Sequence, residues 1–113
     1  RPPLSVEAAV DPEEALVASL SACHMLTFLY LAARKNFIVE TYRDEAAGTM
    51  GKNAEGKLAM LQITLHPDIH FVGDTLPTAD DLAALHHAAH EECYVANTMK
   101  SEVRVEPVGT PVK

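Results

Sequence analysis

Basic residues are scarce in this chain: nine Lys and Arg stand against sixteen Asp and Glu in 113 residues, for a formal net charge of -7. A grip on phosphate backbones needs clustered cations to displace counterions. Nucleic acid is therefore not an expected partner. Cysteine is scarcer still. Two thiols, Cys23 and Cys93, seventy positions apart, cannot form the dense framework of a small secreted protein, and nothing before them reads as a signal peptide. A reducing, cytoplasmic setting is the expectation. The sequence also lacks a glycine-rich phosphate loop, a serine elbow and the H-E-x-x-H zinc signature, and no cofactor is expected. Charge is missing altogether from Ala15 to Ala33, nineteen residues, about the length that crosses a bilayer. Ser19, Ser21, His24 and Thr27 interrupt that run and aromatic belts do not flank it, so a helix buried in a soluble protein is expected rather than a membrane span.

What is present fits one domain, 48% hydrophobic by residue, enough for a modest core. The chain starts at Arg1, and its first eleven residues read as an extended lead-in. A single domain over 1–113 lacking an N-terminal strand segment is expected. Asp11-Pro12-Glu13-Glu14 is a helix start, because Asp can cap, Pro suits the first turn and the acids complement the positive end of the helix dipole. Leu16, Val17, Leu20, Met25, Leu26, Phe28, Leu29 and Leu31 surround this helix with apolar side chains until Arg34-Lys35-Asn36 closes it. Such a helix is central. Strands are expected from Phe37 to Tyr42 and from Lys57 to Leu65, joined through a Gly51–Gly56 turn; Gly48-Thr49-Met50-Gly51 reads as turn and packing residues. Pro67 and Pro77 bracket a loop. A second helix over 79–98 is capped by Thr78-Ala79-Asp80-Asp81, and Ser101–Pro107 alternates as a final strand. Helix, two or three strands, helix, strand is an α+β order. One small sheet and one amphipathic helix cannot cover a helix apolar on all sides, so an upstream segment or a second subunit is expected to do so.

Both cysteines fall inside expected helices. A free cysteine is most often a small buried hydrophobe, and a thiol in apolar surroundings has a raised pKa unless a cation, hydrogen-bond donors or a histidine counter it. His24 adjoins Cys23 but points about 100° away around the helix. A second reading is a metal site, because His86, His90 and Cys93 stand at i, i+4 and i+7 on one stripe, beside a His87/Glu91 pair, and His with Cys suits zinc. A third is a non-enzymatic dimeric module with two core cysteines.

The run Asp11-Pro12-Glu13-Glu14-Ala15-Leu16-Val17-Ala18-Ser19-Leu20-Ser21-Ala22-Cys23-His24 resembles the N/D-P-E-E/Q-L-x-x-A-x-x-x-A/S-C segment of the osmotically inducible protein C and organic hydroperoxide resistance family, OsmC/Ohr. Ala89-His90-Glu91-Glu92-Cys93-Tyr94-Val95-Ala96-Asn97 is similar to that family's second cysteine helix. The resemblance, in its OsmC-like branch, covers about Asp11 to Pro107. It implies an α+β fold with a buried central helix and a second Cys-bearing helix on a largely antiparallel sheet, in an intertwined homodimer. It implies a thiol peroxidase, with Cys23 the peroxidatic nucleophile, Cys93 the resolving thiol and Glu13 holding an arginine against the reactive sulfur; Arg1 is the only upstream candidate. An organic hydroperoxide substrate and a dithiol reductant follow, and the apolar side chains around Cys23 suit an alkyl group. Tyr94 follows the second cysteine where many members carry proline, and His24 stands where phenylalanine is common.

Overall fold

The computed structural model describes residues 11–108. Arg1 and most of the extended lead-in lie outside them. Helix α1 runs from Pro12 to Arg34, opening where the Asp-Pro-Glu-Glu run calls for it: the Asp11 N–H donates to Glu14 Oε1 at 3.1 Å, satisfying one of the donors a helix start leaves free. Its end is a Schellman turn. Asn36 takes φ 65°, Phe37 N–H reaches back to the Ala32 carbonyl at 3.0 Å and Asn36 N–H to that of Ala33 at 3.0 Å, a left-handed position that asparagine tolerates.

Four strands follow before the next helix: β1 Ile38–Asp44, β2 Ala47–Lys52, β3 Leu58–Leu65 and β4 Pro67–Val72. Two of them correct the sequence reading. The segment after Pro67 is a strand, because Pro67 pairs with Asp44 at the last rung of the antiparallel β1–β4 ladder, an end position where a missing N–H costs nothing. The Gly48–Gly51 segment is a strand too, antiparallel to β3, its two glycines leaving room where the side chains of Met60 and Leu61 cross. Helix α2, Ala79–Glu92, opens on a closed capping box, with Thr78 Oγ1 accepting from Asp81 N–H at 3.1 Å and Asp81 Oδ2 accepting from Thr78 N–H at 2.9 Å. The helix expected to run on to residue 98 breaks at Cys93, and a separate turn, α3 Tyr94–Thr98, follows. Strand β5, Glu102–Val105, then lies parallel to β3.

The described strands form two sheets rather than one, β1-β4 and β2-β3-β5. Asp44 ties the corner between them to α1: one carboxylate oxygen accepts the His66 N–H at 2.7 Å and the other the Ser21 hydroxyl at 2.5 Å. Each sheet has its own core. Phe28, Ala32, Phe37, Phe71, Leu85 and Ala89 form one; Leu20, Ile63, Leu65 and Cys93 form the other. Helix α1 spans both, and Cys23 and His24 sit where they meet. Within the chain α1 is buried along one stripe only, Leu20, His24, Phe28 and Ala32, the i, i+4 spacing of a single helix face. Leu26 and Tyr30 remain 64% and 61% exposed, so among the described residues no element encloses that face of the helix that its composition marks as central.

Candidate functional site

The break in the second helical segment places the thiols. Cys93 takes an extended conformation, φ -73° and ψ 112°, at the C-cap of α2 and the N-cap of α3. The side-chain amide of Asn97 bridges the interruption by donating to the Glu91 carbonyl at 3.0 Å, satisfying one of the acceptors that the end of α2 leaves open. Cys93 is fully buried. Cys23 packs against it, and the Cys93 thiol and the backbone N–H groups of Tyr94 and Val95 are near enough to the Cys23 sulfur to act on its ionisation as donors. Both thiols are free.

The two sulfurs are driven in opposite directions. Burial works to raise the Cys23 pKa, but the Cys93 thiol, the N–H groups of Val95 and Tyr94, and the Thr27 hydroxyl together hold it below the ordinary thiol value. Donors aimed at a sulfur favour its ionised form. Cys93 is pushed up to about 11, by burial first and then by Cys23 itself. The Thr27 contribution is the smallest of those acting on Cys23, and its single hydroxyl proton is committed to the Cys23 carbonyl at 2.8 Å; Thr27 serves the thiolate only by rotating. The site therefore has one thiol poised to ionise, half-buried, beside one held protonated and closed to solvent. These donors could not be read from the sequence, because a continuous helix through Cys93 would have spent the Tyr94 and Val95 N–H groups inside itself.

Glu13 lies apart from the thiols. It stands ten residues before Cys23 on the same helix, about 15 Å along the axis at 1.5 Å per residue. With Glu14, Val17, Ser21 and Met25 of α1, Tyr42 and Asp44 of β1, and Met50 and Met60 of the other sheet, it lines a cavity of about 640 Å³, and neither cysteine lines it. The chain thus brings Cys23 and Cys93 into contact and leaves Glu13 on another part of α1.

The histidine stripe is dismantled by the same break. Leaving the helix takes Cys93 out of phase with His86 and His90, and its sulfur turns to Cys23. His86 in turn is bonded to His24, Nδ1 to Nε2 at 3.1 Å. Among the described residues no three His, Cys, Asp or Glu side chains converge as a metal would require. The 100° offset between Cys23 and His24 is what directs His24 at α2 rather than at the sulfur. Its partner was not legible, since nothing in the local sequence pairs positions 24 and 86.

The model of the family described as OsmC-like protein matches residues 5–108. An OsmC-like protein of unknown function from Vibrio cholerae superposes with a TM-score of 0.91 at 50% identity, over 95% of this chain and 70% of that one. An OsmC-like protein from Mycoplasma pneumoniae gives 0.72 at 22% identity, over 96% and 79%. The organic hydroperoxide resistance protein OhrB of Bacillus subtilis gives 0.72 at 19% identity, over 88% and 71%. No curated protein matches the chain significantly.

Proposed function

The chain belongs to the OsmC-like family, and on that premise we propose that it is a thiol-dependent peroxidase reducing organic hydroperoxides through Cys23 and Cys93. The observation that carries the reading is the unequal thiol pair: a half-buried Cys23 whose ionised form is favoured by donors, packed against a buried, protonated Cys93. A thiolate is the nucleophile in such chemistry. Cys23 attacks one peroxide oxygen, the S–O bond forms as the O–O bond breaks, and the alkoxide leaves and takes a proton as the alcohol. The sulfur loses two electrons and becomes a sulfenic acid. Cys93 then displaces water from it, forming the disulfide before further oxidation can occur, and a dithiol reductant returns both thiols. An organic substrate is favoured by the apolar cluster around the thiols, with Leu16, Val17, Leu20 and Met99 nearby, and by the organic hydroperoxide resistance proteins among the structural relatives.

Glu13, at the family's motif position, is assigned the holding of an arginine, as the resemblance implies. A homodimer is the arrangement that would cover exposed apolar side chains such as Leu26 and Tyr30 of α1 and the 83% exposed Tyr94, taking them out of water. A reducing, cytoplasmic setting belongs to the same proposal, since both thiols must be returned to the reduced state after each turnover.

Mass spectrometry of two variants tests the assignment. After one equivalent of an alkyl hydroperoxide, Cys93→Ser carries one added oxygen on Cys23 alone, and a second with excess oxidant, whereas Cys23→Ser takes up none, because a serine hydroxyl is neither ionised nor soft at neutral pH. Glu13→Gln slows the same oxidation. First oxidation retained in Cys23→Ser and lost in Cys93→Ser would reverse the roles, and sedimentation showing only a compact monomer at micromolar concentration would remove the dimer.

A further inference from the structure

The contact between His24 and His86 is a buried polar joint between the two helices that lead to the thiols. His24 is 1% exposed and His86 6%. Their nitrogens are 3.1 Å apart, and their rings are parallel within 2° with centroids 5.3 Å apart. That centroid distance is what the nitrogen separation plus one ring radius at either side gives, so the rings meet edge to edge in one plane. This is N–H···N hydrogen-bond geometry and not face stacking. One imidazole donates and the other accepts, which requires the accepting ring to be neutral, and burial holds both rings toward the neutral form. The Phe28 ring, one turn further along α1, lies against His86 with centroids 4.6 Å apart and closes the pair off from the apolar cluster of Ala32, Phe37, Phe71, Leu85 and Ala89.

Nothing in the thiol chemistry uses these rings, yet each is rigidly linked to one of the sulfurs. His24 is the residue after Cys23. His86 is seven residues before Cys93, about two turns or 10 Å along α2. The surrounding contacts are apolar and individually non-directional, so a shifted register can be repacked at lower cost than a lost directional contact. The hydrogen bond is the directional contact. A one-residue slip of α2 rotates His86 by about 100° and moves it about 1.5 Å, leaving two buried imidazoles unpartnered, and a buried polar group without its partner carries its full desolvation cost. Fixing register is the best-attested use of a buried polar contact.

Resting on the reading of Cys23 and Cys93 as the reacting pair, we infer that His24 and His86 are positioning residues whose hydrogen bond sets the register of α2 on α1 and so holds Cys93 against Cys23. They touch no substrate. Their effect is on the effective concentration of one thiol at the other.

That concentration is measurable without any hydroperoxide, by equilibrating the full chain with glutathione and glutathione disulfide. An S–S bond forms between Cys23 and Cys93 as that of glutathione disulfide breaks, and two electrons and two protons pass to two glutathione thiols. The informative variant is the double substitution His24→Phe/His86→Leu, which removes both polar groups together. Replacing a buried polar pair by apolar side chains is commonly neutral or stabilising, so the unfolding midpoint in urea should match or exceed that of the wild type. The effective concentration should nevertheless fall about tenfold or more, a disulfide potential about 30 mV less negative. A double variant of wild-type stability whose effective concentration lies within twofold of wild type overturns the inference. If that variant does not fold, His86→Asn decides, because the Asn amide occupies the position of the imidazole Nδ1 and can keep the bond. His86→Asn should retain the wild-type effective concentration within about threefold, and a folded His86→Asn that loses tenfold overturns the inference equally. Failure of the hydroperoxide assay would remove the peroxidase reading and leave this equilibrium, and its answer, untouched.

Discussion

Lowering the pH from 7 to 5 requires the folded protein to keep neutral two imidazoles that water would protonate. His24 is held down to about 4, by burial first and then by His90, with Asp44 acting the other way; His86 is held to about 4 by burial and by His24. The ordinary value is 6.5. Between these limits the unfolded chain binds more protons than the folded one, so stability falls as the pH drops. The loss begins near pH 6.5 and is complete below pH 4. For one imidazole it amounts to about 2 kcal/mol at pH 5 and about 3 kcal/mol at pH 4. The two rings share one hydrogen bond and titrate as a pair, so their joint loss is less than twice that. Urea unfolding at fixed protein concentration should record it: with a slope of about 1–3 kcal/mol per molar urea, the midpoint falls by roughly 1 M or more between pH 7 and pH 5. His24→Phe/His86→Leu has no imidazole at either position and should lose most of this pH dependence while keeping that of the carboxylates. An equal slope in wild type and double variant between pH 7 and pH 4.5 would refute the reasoning, since the buried pair would then contribute nothing to it.

Two further outcomes follow from single contacts. Cys93→Ala removes the foremost of the donors that favour the Cys23 thiolate, so the pH midpoint for alkylation of Cys23 should rise, measured as iodoacetamide reaction rate against pH; an unchanged midpoint would assign the thiolate to the backbone N–H groups alone. Asn36 closes α1 at φ 65°, where a β-branched side chain is disfavoured by about 1–2 kcal/mol; Asn36→Val should lower the thermal midpoint by several degrees, whereas Asn36→Gly should leave it near wild type or above.

Much of the local structure was legible because it is decided by neighbours in sequence. Asp11-Pro12-Glu13-Glu14 sets the start of α1 and Thr78-Ala79-Asp80-Asp81 that of α2, since capping and dipole effects act within one turn. The alternation of Leu58–Leu65 and Glu102–Val105 marks β3 and β5. The cysteine-bearing motifs carried the family, which the match over residues 5–108 shows. The misreadings occurred where pairing partners outweigh local preference. Pro67 suggests a loop until Asp44 supplies a ladder end for it, and Gly48 and Gly51 suggest a turn until β3 lies alongside.

The functional details belong to tertiary structure for the same reason. By itself the sequence determined the order of helices and most strands, two thiols in helical surroundings and an α1 that is apolar on all sides. Only the fold decided that Cys93 leaves the helix, which frees the Tyr94 and Val95 N–H groups for Cys23 and withdraws Cys93 from the His86/His90 stripe. It also decided that His24 meets His86 across sixty-two positions, and that β5 runs parallel to β3. Hydrogen bonds and burial act over a few ångströms of space, and separation along the chain carries no information about which distant residues will share that distance.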